Sequence, residues 1–588
     1  MTVSAVRALM LVGSMLALAA CATPPEPSPV PPPPARESTS FTLATDQPRP
    51  AEQMAMRFDK ADLAIRVIPQ DQAIDAVAVL DFTATAPLDR LIVELDTLLT
   101  ISSVQVDGQD VPTGRWSNPE GRLTVELPQT LPAGRSTSLR IAYAGKPRVA
   151  PRAPWNGGFV WSTAPSGEPW IATAVQGEGC DLFWPCIDHP HGEPARVDLH
   201  ITVPSNLAAP SNGRFLGKVD HGDGWSTWNW SARRPNTYAV ALNIGPYERV
   251  ASEYQSRFGN TLPLEYWHLK SDDPKQVQAL FAELPLMLDF FESTVGPYPF
   301  GDEKVGVVET PHLGMEHQTI NAYGNGYKLD GRGYDWLMQH EFAHEWFGNQ
   351  LTNENADDMW LHEGLGSYMQ PLYARWLNGE RYMQRELADQ REGLINKFPV
   401  VSGSPKTEDE VYFGGTGPGN DIYSKGSLIA HSLRMLIGDA AFKEAVTRLV
   451  YGRPDPRPGN FEPLYRSTPD FLRIVNEVTG RDYEWFFRGY LYQAALPVLD
   501  QTREGDRLVL AWTTGDGATF PMPVEIEIDG RLQTLPMTDG RGLVTVPPGA
   551  HVTVDPQNKA LRQLDFVDDY QAWREAERQK RAAARLAS

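Results

Sequence analysis

YDWLMQHEFAHEWFGNQLTNENADDMWLHEGLGSY, residues 334–368, sets three histidines among acids and large apolar side chains. Read as a helix, residues 334–349 place His340 and His344 one turn apart on a single face. Imidazoles at i and i+4 can share one zinc ion at about 2.0–2.1 Å. Glu341, beside them, can hold a water without being a ligand. A catalytic zinc takes three protein ligands and keeps one position open. Glu363 offers the third, because a second helix over MWLHEGLGSY, reached through the loop NQLTNENADD, can return its carboxylate to the metal. His362 is a rival, but on a helix it points about 100° away from Glu363. The bland alternative, a solvated acidic helix, leaves Trp360 and Leu361 unexplained.

Around this stretch the chain changes texture several times. AVAVLDFTA, RLIVELD, RLTVELP, LRIAYAG and RVDLHITVP alternate or run apolar between turn residues, which predicts a large antiparallel β domain over residues 46–245. Apolar residues then recur at helical spacing in PKQVQALFAELPLMLDFFESTV and in STPDFLRIVNEVTGRDYEWFFRGYLY. The second has Thr468 as its expected cap and Pro469 in its first turn. This predicts a mostly α domain over residues 246–498. DRLVLAW, PVEIEID and HVTVDP return to strands, a small β-sandwich over residues 499–567, and residues 568–588 read as a polar, frayed helix. The fold class is multidomain α+β. Internal repeats are absent, and the sequence sets no oligomeric state.

At the N-terminus, Arg7 and the apolar run ALMLVGSMLALAA are too short to span a bilayer and suit a signal peptide, residues 1–20. The run ends in LAAC, which resembles the bacterial lipobox, so Cys21 is the expected lipid attachment point; plain secretory cleavage is the alternative. Residues 21–45, rich in proline, read as an extended tether. Together these place the protein on the bacterial cell envelope, at the outer membrane if the envelope has two. Cys180 and Cys186 in CDLFWPC are a disulfide or two buried thiols, and poor zinc ligands. A formal charge of −21 excludes nucleic acid as partner, since phosphate binding needs a positive face.

HEFAH followed by WLHEG resembles the M1 family of zinc aminopeptidases, and three further segments match in the family's order. VQGEGCDLFWPCIDHP resembles the segment whose Gln-x-Glu meets the substrate amine. PYPFGDEKVGVVETPHLGMEHQT resembles the exopeptidase loop, and NDIYSKGSLIAHSLR the helix bearing the catalytic tyrosine. The resemblance implies a thermolysin-like catalytic domain and one Zn2+ on His340, His344 and Glu363. It implies Glu341 as general base and Tyr423 as oxyanion donor. Gln176, Glu178, Gly314, Met315 and Glu316 would hold a peptide with a free N-terminus. Such an enzyme removes N-terminal residues from peptides.

Two departures stand out. His317 replaces the asparagine usual after Glu316, which bears on how the first peptide unit is held. The long helical domain that many members carry after the small β domain is also not expected here, which predicts a more open cleft. The competing readings are an epoxide hydrolase, a thermolysin-type endopeptidase without need of an amine trap, and a catalytically inactive binding protein on this scaffold. The last would be favoured by a missing ligand, base or tyrosine, and all five are present.

Overall fold

Alternation in AVAVLDFTA and LRIAYAG becomes two neighbouring strands of an eight-stranded sheet in the computed structural model. The structure describes residues 37–587 apart from 330, 414 and 460. The expected signal segment 1–20, Cys21 and the proline run lie outside these residues. In chain order the sheet contains β1 (Met56–Ile68), β2 (Ala73–Ala84), β3 (Leu99–Val106), β4 (Gln109–Asp110), β5 (Ser136–Gly145), β6 (Arg196–Pro204), β7 (Arg214–Asp220) and β8 (Trp225–Arg233). In space the order is β7-β8-β6-β1-β2-β5-β3-β4. Leu63, Ile65, Leu80, Phe82, Leu139 and Ile141 are buried together in its core.

Three expectations need correction here. The sheet is not wholly antiparallel: β1 runs parallel to β6, with Leu63 opposite Leu199. Parallel neighbours need a long crossover, and all the chain between β2 and RVDLHITVP provides it. The tether does not reach residue 45. Thr42 and Thr45 are buried, the Ser38 hydroxyl donates to Asp96 Oδ2 at 2.5 Å, and Arg122 lies over the Phe41 ring. Phe41 and Leu43 give this short segment apolar surface to bury, which the proline run before it lacks. Thr468 is not a cap either: Ser467 accepts from the Asp470 N–H, and the Thr468 hydroxyl instead donates to Asp358 Oδ1 at 2.8 Å. Cys180 and Cys186 are joined in a disulfide.

The region after residue 246 is helical around a five-stranded sheet. Its strands are β9 (Tyr247–Gln255), β10 (Thr261–Leu269), β11 (Val305–Glu309), β12 (Gly314–Met315) and β13 (Asn321–Tyr323), ordered β9-β10-β11-β13-β12. The helical run from Pro274 breaks at Ala282 into Pro274–Phe281 and Glu283–Thr294. Pro285 has no N–H for the Phe281 carbonyl, so one continuous helix cannot form there. The helices that build the site are α1 (Trp336–Ala343), α2 (Trp360–Asn378), α3 (Glu408–Tyr412) and α4 (Asp421–Ile437). Two three-stranded sheets over residues 498–554 form the expected C-terminal β region, and Phe520 packs on Trp485 and Tyr490 to join it to the helices. The tail is helical over Asp565–Ala587.

Candidate active site

Two helix ends and one helix crossing assemble the candidate ligands. Asp335 caps α1: its Oδ1 accepts from the Met338 N–H at 3.0 Å, and its Oδ2 accepts from the Tyr323 hydroxyl at 2.7 Å. The helix is buried on almost every side, which is why HEFAH sits among apolar residues. His344 stands at its C-cap, and its Nδ1–H donates to the Phe347 carbonyl at 2.7 Å. That bond puts a hydrogen on Nδ1 and leaves Nε2 as the nitrogen that would face a metal. Glu363 lies in the first turn of α2. Helix α4 crosses α2 at two glycines: a Cβ on Gly364 would stand 2.8 Å from the Ile422 carbonyl oxygen, and one on Gly426 2.9 Å from Gly364 Cα. Only glycines permit this backbone approach, which carries Tyr423 to Glu363.

The three donors converge. His340 Nε2 lies 3.4 Å from His344 Nε2, and Glu363 Oε2 lies 3.6 and 3.4 Å from those two nitrogens. Tetrahedral bonds of 2.0–2.1 Å would separate ligand atoms by about 3.3–3.4 Å, so the triangle has the dimensions of a zinc site. Glu363 divides its oxygens: Oε1 accepts from the Tyr423 and Tyr412 hydroxyls at 2.9 and 3.0 Å, whereas Oε2 is buried with no hydrogen-bond partner. A buried carboxylate oxygen without a hydrogen bond is costly; only the two imidazoles face this one, and a cation at the centre of the triangle would bond to all three. This is the only group of three or more potential ligands among the described residues. His362 is elsewhere, its Nε2 accepting from the Asn353 N–H at 3.1 Å.

A cavity of about 490 Å³ opens over the triangle, lined in part by Glu341, Glu316, Gln176, Tyr412, Tyr423 and Glu408. Glu341 is 6% exposed, and burial, followed by the neighbouring Glu316 charge, pushes its carboxyl well above the ordinary range. Strand β12 passes so close that a Cβ on Gly314 would stand 2.3 Å from Glu341 Oε1, which accounts for the glycine in GMEH. Met315 and Glu316 follow in the cavity wall, with Met315 opposite Ala322. Glu316 Oε1 accepts from the Tyr238 hydroxyl at 2.8 Å, and its backbone carbonyl accepts from Asn349 Nδ2 at 3.0 Å. Glu345 fastens the same loop, accepting from the Thr319 N–H and from Asn321 Nδ2, both at 2.8 Å. His317 is fully buried, and burial together with His312 pushes its imidazole down to about 3, so the residue replacing asparagine is neutral.

One expected site residue is placed differently. Glu178 does not line the cavity; its Oε2 accepts from the Gly157 N–H at 2.5 Å and its Oε1 lies 3.9 Å from the Arg148 guanidinium. It braces the wall behind Gln176, whose Nε2 has no partner. Conversely, Tyr412, Tyr238 and Glu408 were not anticipated. TEDE, residues 407–410, is a capping-box pattern that marks the start of α3, and Thr407 and Glu410 do close that box. From such a start Glu408 and Tyr412, at i and i+4, share one helix face. Nothing in the sequence marks Tyr238.

Comparison with known proteins adds a lineage to this geometry. The Peptidase M1 N-terminal domain matches residues 58–238 and the Peptidase family M1 domain residues 325–490, together more than half of the chain. Probable aminopeptidase 1 of Sulfurisphaera tokodaii is 22% identical over 477 residues, 75% of this chain and 55% of the relative. Aminopeptidase M1-B of Oryza sativa subsp. japonica is 24% identical over 447 residues, 70% of this chain and 45% of the relative. The chain thus spans about half the length of these curated relatives. Among solved structures, a variant of the M1 zinc metallopeptidase from Deinococcus radiodurans bound to a Tyr-Ser-Ala substrate is 26% identical at a TM-score of 0.64, covering 78% of this chain and 99% of the neighbour. A variant of a two-domain M1 zinc metallopeptidase bound to L-tryptophan is 25% identical with the same TM-score and coverage.

Proposed function

Because the chain belongs to peptidase family M1, we propose that it is a zinc aminopeptidase that hydrolyses the first peptide bond of substrates with a free N-terminus. The observation that carries this reading is the convergence of His340, His344 and Glu363 on one point in a cavity that also holds the Glu316 carboxylate. Zinc held by these three side chains would supply a Lewis acid for the scissile carbonyl and for water. Glu341 accepts a proton from the attacking water and delivers it to the departing amine. The Tyr423 hydroxyl, already aimed at Glu363 Oε1, donates to the carbonyl oxygen as it gains charge.

Glu316 sets which bond is cut. An α-ammonium paired with its carboxylate anchors the substrate by its end, and a charge-assisted hydrogen bond of this kind contributes about 1.5–3 kcal/mol. Gln176 lines the same cavity, and Tyr238 orients the carboxylate from behind. A thermolysin-type endopeptidase has no use for such an acid. Against an inactive scaffold stands the presence of every ligand together with the base and the tyrosine. No observation favours epoxide chemistry.

The test is zinc content by metal analysis, combined with hydrolysis of free and N-acetylated amino-acid amides before and after chelation. One zinc per chain and chelator-sensitive cleavage of free amides alone is the expected result. Equal cleavage of acetylated amides would overturn the assignment of Glu316. We further propose that Cys21 carries a lipid that holds the enzyme on the cell envelope. Recovery of a Cys21→Ser chain with the membranes, at the wild-type level, would refute that anchor.

A further inference from the structure

Four carboxylates line the catalytic cavity, and the reaction proposed above uses three of them. Glu363 is a ligand, Glu341 moves a proton and Glu316 meets the substrate amine. Glu408 is left over. It is 5% exposed, yet the cavity wall contains no lysine or arginine that could neutralise it. Its charged neighbours are themselves acids, chiefly Asp46, Glu316 and Glu363. No hydrogen bond or ion pair of its carboxylate occurs among the described residues. Behind it lies a smaller cavity, which Glu408 also lines, together with Asp46 and Asp188; Asp46 Oδ2 is buried without a partner.

The position of Glu408 is fixed. Its helix α3 is held by the Thr407–Glu410 capping box, with the Thr407 N–H donating to Glu410 Oε2 at 2.9 Å. One turn along the same face, Tyr412 touches the Glu363 ligand. One helical turn thus separates Glu408 from the tyrosine on that ligand, with their Cβ atoms about 5–6 Å apart. The first residue of a substrate has its amine at Glu316 and its carbonyl at the metal, so its side chain must leave toward the remaining wall. Tyr238, bonded to Glu316, lines the smaller cavity together with Glu408 and so ties the two acids to one end of the site.

We propose that Glu408 makes this enzyme select peptides whose N-terminal side chain is cationic, arginine or lysine, by receiving that charge in the cavity wall. Burial, followed by the Asp46, Glu316 and Glu363 carboxyls around it, pushes the Glu408 carboxyl well above the ordinary range, and a guanidinium or ammonium seated against it favours the ionised form. The preference rests on the aminopeptidase reading, and the experiment separates the two. The zinc-loaded full-length chain is assayed on arginine amide and on citrulline amide, which has nearly the same shape without the charge, with leucine amide as a third substrate. The wild type should favour arginine over citrulline by about 10- to 100-fold in kcat/KM, the range of one charge-assisted hydrogen bond. Glu408→Gln should bring that ratio to within about threefold of unity, and Glu408→Asp, with a shorter reach, should give an intermediate ratio.

An arginine-to-citrulline ratio near one in the wild type overturns the proposal. So does an unchanged ratio in a Glu408→Gln chain that still binds zinc and cleaves leucine amide. Should Glu408→Gln fail to fold, the wild-type ratio and the Glu408→Asp variant decide. Absence of cleavage of all three amides by the zinc-loaded wild type would instead strike the aminopeptidase reading itself.

Discussion

The catalytic cavity and the N-terminal β region both bury acids, with opposite outcomes. In the cavity, His340, His344 and Glu363 bring their ligand atoms within 4.8 Å of one another. In the β region, Glu94, Asp96 and Asp181 are at most 5% exposed, and Asp188 lies beside them. Yet the oxygens of Glu94, Asp96 and Asp188 turn to separate partners, and Asp181 Oδ1 meets none. Glu94 Oε1 accepts from Gln53 Nε2 at 2.6 Å and its Oε2 from the Asp188 N–H at 3.3 Å. Asp96 takes the Ser38 hydroxyl and the Leu98 N–H, and Asp188 takes the Cys180 N–H. Burial of acids therefore does not by itself make a metal site; the meeting of lone pairs at one point does. Like Glu341 in the cavity, the β-region acids are pushed toward the protonated form. Burial pushes Glu94 up to about 7; burial, reinforced by Asp188 and Glu94 at Asp181 and by Asp46 and Glu94 at Asp188, raises those two well above the ordinary range.

The largest contrast is in metal content. Glu363→Ala or His344→Ala should lose zinc and turnover together, whereas Asp181→Asn should keep one zinc per chain, as metal analysis of the three proteins would report. Loss of zinc from the Asp181 variant would break the distinction just drawn. Glu341→Gln sharpens it from the other side: zinc stays bound while kcat falls by about 10²–10⁴.

The two tyrosines on Glu363 come next. Tyr423→Phe should lower kcat by about 10²–10³, the usual loss for an oxyanion donor. Tyr412→Phe removes only a brace on a ligand, so its effect should appear in zinc affinity, weakened about 10- to 100-fold. Equal kcat losses at full zinc occupancy would mean that the oxyanion role belongs to both or to neither. Competition with a chelator measures the affinity, and saturating zinc isolates kcat.

What could be read in the sequence follows the range of each contact. His340 and His344 are one helical turn apart, so local spacing reveals them, and the apolar neighbours of Glu363 mark a second buried helix. The glycines of WLHEG and YSKGS are visible as letters, but their purpose, the α2–α4 crossing, needs both helices in place. Tyr238 reaches Glu316 across 78 residues, and no local pattern encodes that. Glu178 sits inside a matched motif, yet the Gly157 N–H, a backbone donor invisible to side-chain reasoning, takes its carboxylate out of the cavity wall. The strands were legible because alternation is local; the parallel seam between β1 and β6 was not, since register between distant strands is set by tertiary packing.

The smallest effect, on stability, probes the β-region acids directly. Glu94 has its carboxyl at about 7 in the folded chain against an ordinary 4.5, chiefly through burial, with Gln53, the Asp188 N–H and Arg122 acting in the opposite sense. The folded state thus holds a proton that the unfolded state releases. The stability associated with that proton is fully present below about pH 4.5 and is lost as pH rises through about 7. The penalty above that range is on the order of 1–3 kcal/mol. Glu94→Gln cannot ionise and can still meet the Asp188 N–H through its amide oxygen. The unfolding free energy of the variant should therefore fall less steeply than that of the wild type between pH 4.5 and 7, by urea titration at matched zinc. Parallel curves would mean that Glu94 is ionised when folded, with Arg122, 3.9 Å away, as its counterion. The β region would then resolve its buried charge by pairing and not by protonation, and the contrast with the metal triangle would narrow to the choice of cation.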